Sequence, residues 1–434
     1  MLEPVTAIII VIPLLFVLMA VGFPVFAALG ISGLVGIFAT EGFGYIYSTL
    51  RTLTYQETAV YLMTVIPLFI LLGNFAHHAG VGRALFGISR KWVGHWPGGL
   101  AMSSVLTCAG FSATSGSSVA TAATVGSIAL PEMKKAGYDQ RLSTGAIAAG
   151  GVLGVLIPPS VLLVFYAAIN QVSAGAMLLA GVIPGILSTV IFLGGIWVLS
   201  KLKPELGKVS ERTAWKERLV SLVGAWPLLV LIVVVLGGIY TGVFTPTEAA
   251  AVGALAALLM LLASGTRGKL RSIWTSCQDA LSTTVMIMMT IIGAAIFSLF
   301  LSLVQLPQML SEFAATLPVP GLVIIFLFLL IFLPLGMFLD AFSMLVITMP
   351  IMFPTVVALG FDPIWFGILA VKMCEIGLIT PPVGLNCYVI AGLDDDVKLE
   401  KVFHGSSWFV LMELAALAIL FSFPLLTTWL PSTM

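Results

Sequence analysis

The chain is a succession of long apolar runs separated by short polar or glycine-rich joints. An apolar run of about 17 to 25 residues is long enough for a helix to cross a hydrocarbon core of roughly 30 Å. Runs of that length predict crossings at about 5–22, 24–40, 59–78, 140–170, 174–200, 217–241, 245–264, 282–304, 363–392 and 405–430. Two regions do not fit. Residues 97–133 and 320–358 are each too long for one span and carry Gly, Ser or Pro at their centres, which predicts two half-spans that enter the membrane and turn back. Three segments, 39–57, 82–99 and 265–280, mix charges with aromatics and suit helices lying along the interface.

The pattern repeats. Pro158 and Pro159 recur 223 positions later as Pro381 and Pro382. At the same offset Gly154 meets Gly377, Pro131 meets Pro354, Gly137 meets Gly360 and Asp139 meets Asp362. Far upstream, Ala27, Ala28 and Gly30 meet Ala250, Ala251 and Gly253. One register over so long a stretch indicates an internal duplication. Five predicted crossings separate the start of one copy from the start of the next, and an odd number inverts the second copy. The organisation that follows is an N-terminal transmembrane helix (1–23), a first repeat (24–200), a linker with a connecting span (201–244) and a second repeat (245–434). Each repeat holds a re-entrant hairpin (97–133 and 320–358) and a broken helix (140–170 and 363–392). The opening "MLEP" is acidic and no A-x-A cleavage signal follows, so the first helix is read as retained.

Charge orients this topology. With the 201–218 loop in the cytoplasm, the same count puts all but Arg51 and Lys372 of the 19 Lys and Arg on that side, as the positive-inside rule requires. Both termini then face outward. The composition, 60% hydrophobic and 9% charged, is that of a polytopic membrane protein, and a formal net charge of zero gives nucleic acid nothing to bind. No zinc-type Cys/His spacing, phosphate loop, G-x-S-x-G or H-E-x-x-H occurs, so the sequence gives no ground for an enzyme. Cys108, Cys277, Cys374 and Cys387 lie in apolar surroundings as small hydrophobes.

A double proline breaks a helix, because proline lacks an N–H and clashes with the preceding turn. Backbone groups freed at membrane depth persist only where protein or a hydrated site takes them up. The hairpin centres offer partners: Ser112, Thr114, Ser115, Ser117, Ser118 and Thr121 in one, and Gly336, Asp340 and Ser343 in the other. Ser160 follows one break, and Thr380 and Asn386 flank the other. Hydroxyls, carbonyls and an amide are the hard oxygen ligands a small cation prefers, and half-helix N-termini attract an anion. Broken helices meeting at the midplane of an inverted repeat indicate a secondary transporter. Blander roles compete at each residue. Single hydroxyls commonly bond their own helix, Asp340 can serve as a hairpin cap, and Lys372 and Glu375, three apart, can neutralise each other. Asn74 and Asn170 suit either ligand binding or helix ends.

The stretches "GFPVFAALG", "SGSSVATAATVGSIALPEMKKAGYD" with "GVLGVLIPPS", "YTGVFTPTEAAAVGALAAL", and "PIMFPTVVALGFDP" with "GLITPPVGLN" together resemble the large, DctM-type membrane subunit of tripartite ATP-independent periplasmic (TRAP) transporters. The resemblance runs from about residue 5 to the end. It implies an all-α fold with a scaffold and a mobile transport domain that moves as an elevator in a bacterial inner membrane. It also implies sodium-coupled uptake of an organic anion such as a C4-dicarboxylate or sialic acid, with a separate small membrane subunit and a periplasmic substrate-binding protein as partners. Carried onto this chain, one sodium ion falls to Ser115, Gly116, Ser118, Gly154 and Pro158, and another to Gly336, Asp340, Gly377, Thr380 and Asn386. The anion falls to Ser117, Ser160 and Thr380, with Lys372 a further candidate. A self-sufficient anion carrier of the same superfamily is the alternative.

Overall fold

Proline, glycine and small capping side chains stop and start the helices at the joints of the apolar pattern. The computed structural model describes residues 3–209 and 212–433; Met1, Leu2, Ser210, Glu211 and Met434 lie outside them. The chain opens with α1 (Pro4–Ala20) and α2 (Val25–Glu41), 17 residues each and so within the range that spans a bilayer. Helix α3 (Phe43–Thr58) has no buried residue and lies on the surface. A 3₁₀ turn leads into α4 (Val65–His78), followed by α5 (Val81–Val93). Helices α6 (Gly99–Ser115) and α7 (Ser118–Lys135) form a hairpin whose turn is only Gly116 and Ser117. Helix α8 (Gln140–Leu156) breaks at the double proline and resumes, bent by 44°, as α9 (Val161–Ile169). Then come α10 (Ala174–Ala180) and α11 (Val182–Leu202). Next, α12 (Trp215–Leu222), α13 (Trp226–Ile232) and α14 (Gly238–Tyr240) run on as one span from Trp215 to Tyr240.

The second half follows the same order. Helix α15 (Pro246–Ala263) precedes α16 (Lys269–Leu303), α17 (Leu306–Thr316) and a second hairpin, α18 (Gly321–Gly336) with α19 (Ala341–Ala358). Helix α20 (Pro363–Gly377) breaks at Pro381 and Pro382 before α21 (Leu385–Ala391), and α22 (Leu399–Ser422) and α23 (Leu425–Thr428) complete the chain. Among the described residues every regular element is helical, and seven helical segments, or eight with α8 and α9 taken together, are long and apolar enough to cross a membrane. Shifted by 223 residues, the bounds of α7 fall on Ala341 and Ala358, those of α19, and the start of α8 falls on Pro363, that of α20. The repeated aspartates now have a reason: Asp139 caps α8 by accepting from Arg141 N at 2.7 Å, and Asp362 caps α20 by accepting from Ile364 N at 2.7 Å.

One expectation is corrected. The segment 265–280 does not lie apart at the interface: from Lys269 on it forms the first turns of α16, which at 35 residues is about 52 Å long. Lys269–Leu303 is continuous, whereas in the first repeat the chain breaks between Thr58 and Val65, where no proline stands either.

The repeats also exchange helices. Helix α2 of the first packs along α16 of the second, and α15 of the second along α4 of the first. Glycine makes these crossings close: a Cβ on Gly33 would lie 2.8 Å from Phe297 N, and one on Gly253 would lie 2.6 Å from Leu72 Cδ1. The hairpins and broken helices occupy the centre. Every residue from Leu142 to Leu156 and from Trp365 to Gly377 is buried, the mark of helices surrounded on all faces. At one end Lys134 on α7 bonds Asp394 at 3.0 Å and Asp396 at 2.6 Å in the loop after α21. The Asp396 backbone N–H, with Lys134, holds the Asp394 carboxyl below its ordinary range.

Candidate functional site at the helix breaks

Each hairpin turn rests on its own repeat's broken helix. Gly116 ends α6 at φ 60°, the left-handed conformation that favours glycine, and a Cβ there would lie 2.9 Å from Pro159 O. Gly154 on α8 faces the same turn from the other side, its Cβ position 2.5 Å from Ser117 O. In the second repeat Gly336 and Gly377 meet backbone to backbone, a Cβ on either falling 2.6 Å from the other's Cα. Both double prolines are joined by cis peptide bonds.

The second helix of each hairpin is capped by its turn. Ser117 Oγ accepts from Ala120 N at 3.4 Å, and Asp340 accepts from Phe342 N at 3.0 Å and Ser343 N at 3.3 Å, with the Ser343 hydroxyl donating to its other oxygen. Asp340 stands 223 positions after Ser117, so one cap serves both repeats with a hydroxyl in one and a carboxylate in the other. Ser160 has the same task at the first break. It caps α9, accepting from Leu163 N at 3.3 Å, and donates to Val155 O at 2.5 Å, taking up a carbonyl of the interrupted helix. Thr380 donates to Ile376 O at 2.6 Å at the end of α20. Asp340→Asn preserves a capping oxygen while removing the charge, whereas Asp340→Ala loses the cap, which costs about 1 kcal/mol. The expected result is thermal stability near wild type for the first variant and a lower midpoint for the second. Equal midpoints would show that the cap contributes nothing.

The structure groups these residues differently from the sequence reading at two points. Asn386 had been placed with the second hairpin. Helix α21 instead packs on α7 and α8, and Asn386 Nδ2 donates to Ser118 Oγ at 2.6 Å and Ala148 O at 3.2 Å. Its Oδ1 is buried without a hydrogen-bond partner. Asn386 thus ties the second broken helix to the first hairpin, beside Ser115, whose hydroxyl meets that of Thr121 at 2.6 Å. Lys372 had been considered for the anion. It is fully buried, and its ammonium is engaged by Ser188 Oγ at 2.7 Å, Glu375 at 2.9 Å and Glu413. Five residues before Gly377, it points roughly 140° around α20 from the hairpin contact. It has no donor left for a substrate. Asn74 donates to Ser276 O and Asn170 to Tyr166 O, which satisfies both on backbone.

Glu413 and Ser188 are the residues that sequence reasoning passed over. The signal was present for Glu413, a single acid within the apolar run of α22. Beyond the turns, a cavity of about 950 Å³ separates α3, α16 and α17 from α9 and α19, lined with Gln56, Glu57, Asn170, Ser298 and Glu312 among apolar side chains.

Comparison with known proteins places the chain in a family. Residues 12–426 match the family model described as the DctM component of the tripartite ATP-independent periplasmic transporter. The chain is 36% identical to the C4-dicarboxylate TRAP transporter large permease protein DctM of Vibrio cholerae, over 96% of this chain and 97% of that one. It is 34% identical to the protein of the same description from Rhodobacter capsulatus, over 98% of both. It is also 32% identical to the sialic acid TRAP transporter large permease protein SiaM of Vibrio cholerae, over 86% of both. In fold it is similar to the crystal structure of the Alcanivorax borkumensis YdaH transporter, described as having an unusual topology, with a TM-score of 0.60 at 16% identity, covering 89% of this chain and 90% of that one.

Proposed function

Because this chain belongs to the DctM family of tripartite ATP-independent periplasmic transporters, and is therefore a transporter permease, we propose that it carries an organic anion inward, driven by sodium ions. The anion is a small carboxylate, in keeping with relatives named for C4-dicarboxylate and sialic acid. The observation that carries the reading is the meeting of two hairpin turns with two broken helices, tied across the repeats by Asn386 and Ser118.

Sodium ions bind at these turns, one beside Ser115, Gly116, Ser118, Gly154 and Pro158, with Asn386 Oδ1 added to it, and one beside Gly336, Asp340, Gly377 and Thr380. The free oxygen of Asn386 is an acceptor of the kind a small cation seeks. The anion binds between the turns, at Ser117, Ser160 and Thr380, where the N-termini of α7 and α9 present backbone N–H groups and a positive dipole end. An ion that binds only the closed turn favours that state by its differential affinity and no more. The loaded hairpins and broken helices then slide against α2, α4, α15 and α16 from outward to inward access. A separate small membrane subunit and a periplasmic binding protein complete the system in the inner membrane, both termini facing the periplasm.

The test is uptake of a labelled carboxylate panel into proteoliposomes, with and without an inward sodium gradient, the small subunit and the cognate binding protein. Uptake that needs all three is the expected result. Sodium-driven uptake by this chain alone would overturn the partner assignment and indicate a self-sufficient carrier. Uptake indifferent to sodium would overturn the coupling.

A further inference from the structure

Lys372, Glu375 and Glu413 form a polar cluster that the proposed transport site does not use. All three are fully buried, Lys372 and Glu375 in the C-terminal half of α20 and Glu413 near the middle of α22, and Ser188 on α11 completes the group. The ammonium donates to Ser188 Oγ at 2.7 Å and Glu375 Oε2 at 2.9 Å, and touches Glu413 Oε2 as its third neighbour. The carboxyl side is less complete: Glu375 Oε1 and Glu413 Oε1 are buried without a hydrogen-bond partner.

Counting charge exposes the difficulty. One ammonium faces two carboxyls, so two ionised acids would enclose a net negative charge where solvent does not reach. A buried group in that position is neutralised rather than left charged. No other ionisable group on the elements packed against α22 supplies the balance. Arg141, at the start of α8, is paired with Asp139. Lys201 on α11 lies 13 residues beyond Ser188, about 20 Å along the helix. On α22 itself, Glu400, Lys401 and His404 precede Glu413 by at least nine residues, about 13 Å. On α20 and α21, Cys374, Cys387 and Tyr388 bring no positive charge.

A sodium ion fits poorly here. The Lys372 ammonium already sits against the Oε2 atoms of both acids, so a metal held by those carboxylates would lie beside a like charge. A hard cation also seeks about six oxygens, more than one hydroxyl and two carboxyls present. A proton needs one donor oxygen and one acceptor. The Oε2 of each acid already faces the Lys372 ammonium and the Oε1 of each is free, so one proton held between the two acids supplies both the missing charge and a donor.

We propose that this cluster is a proton-binding site, in which Glu375 and Glu413 together hold one proton beside the Lys372 ammonium. The cluster is neutral as a whole and braces α11, α20 and α22. It also accounts for the unavailability of Lys372 to substrate, since withdrawing the ammonium would strand both acids.

Infrared spectra of the purified full-length chain test this directly. The wild type is expected to show the carbonyl stretch of a protonated carboxylic acid, and Glu413→Gln to lose it while keeping the wild-type midpoint of thermal denaturation, because glutamine is a neutral isostere of the acid. Lys372→Met, with one carboxylate left unpaired, lowers the midpoint, and Lys372→Met/Glu375→Gln, in which all three groups are neutral, recovers it. The spectrum decides if Lys372→Met does not fold. No acid band in the wild type, a band that survives Glu413→Gln, or a double variant as unstable as Lys372→Met would each overturn the proposal. So would a wild-type midpoint that rises with sodium when that of Glu413→Gln does not, because a metal ion would then occupy the cluster.

Discussion

Leucine at Gly377 is expected to abolish uptake and to lower the yield of folded protein. The reason is the contact between α18 and α20. A Cβ on Gly377 would lie 2.6 Å from Gly336 Cα and 3.1 Å from Gly336 C, both backbone atoms that no rotamer change can move aside. Helix α20 cannot retreat, since it is buried on every face from Trp365 to Gly377. Overpacking of a dense interior costs about 1–3 kcal/mol for small additions, so Gly377→Ala already loses stability of that order and leucine loses more. The contact also sits where the second hairpin meets its broken helix, so separation there spoils the turn as well as the packing. Gly194→Ala is the control. A Cβ at Gly194 meets nothing within 4 Å, and alanine gains up to about 1 kcal/mol in helix propensity. Thermal midpoints and uptake rates of the three variants decide it. Uptake by Gly377→Leu within twofold of wild type would show that the hairpin contact is not essential.

The parts of this architecture that depend on local chemistry were legible in the sequence. The double prolines, the aspartates at 139 and 362 and the glycines at 154 and 377 mark breaks, caps and close contacts that each repeat needs at the same place, so one offset exposes them all. The hairpins were legible from their length together with the Gly, Ser or Pro at their centres. Pairings between distant segments were not. Hydrophobic runs are similar in all spans, so nothing along α2 specifies that it packs on α16 rather than on its own repeat's α4. The fusion of most of an expected interfacial segment into α16 was not legible, since the matching stretch of the first repeat breaks at residues 59–64 without a proline to mark it. Asn386 and Ser118 are 268 residues apart, and only the packing of α21 against α7 brings them together. Lys372 was legible as an unusual intramembrane charge, but its second acidic partner, Glu413 on α22, lies beyond helical spacing, which pointed only to Glu375.

The largest effect on coupling is expected at Asn386. Its amide has two faces with different tasks: Nδ2 holds Ser118 Oγ at 2.6 Å and Ala148 O at 3.2 Å, and Oδ1 is a buried acceptor without a donor. Alanine removes both. Loss of the donor leaves buried oxygens short of a partner, at about 1–3 kcal/mol. Loss of the acceptor takes an oxygen ligand from the cation, and if that ligand contributes about 1.4 kcal/mol, the sodium concentration for half-maximal uptake rises about tenfold. Ser118→Ala removes only the hydroxyl that orients the amide, so its sodium requirement rises less, and adding it to Asn386→Ala changes little. Contacting residues of this kind couple by about 0.5–3 kcal/mol, so strictly additive effects would place Ser118 outside the sodium site. An unchanged sodium requirement in Asn386→Ala would leave the orphan oxygen without a cation to bind, and with it the role assigned to the tie between the repeats. That oxygen is singled out because it belongs to the residue that bonds Ser118 at the turn of the first hairpin, and the protein buries it without satisfying it.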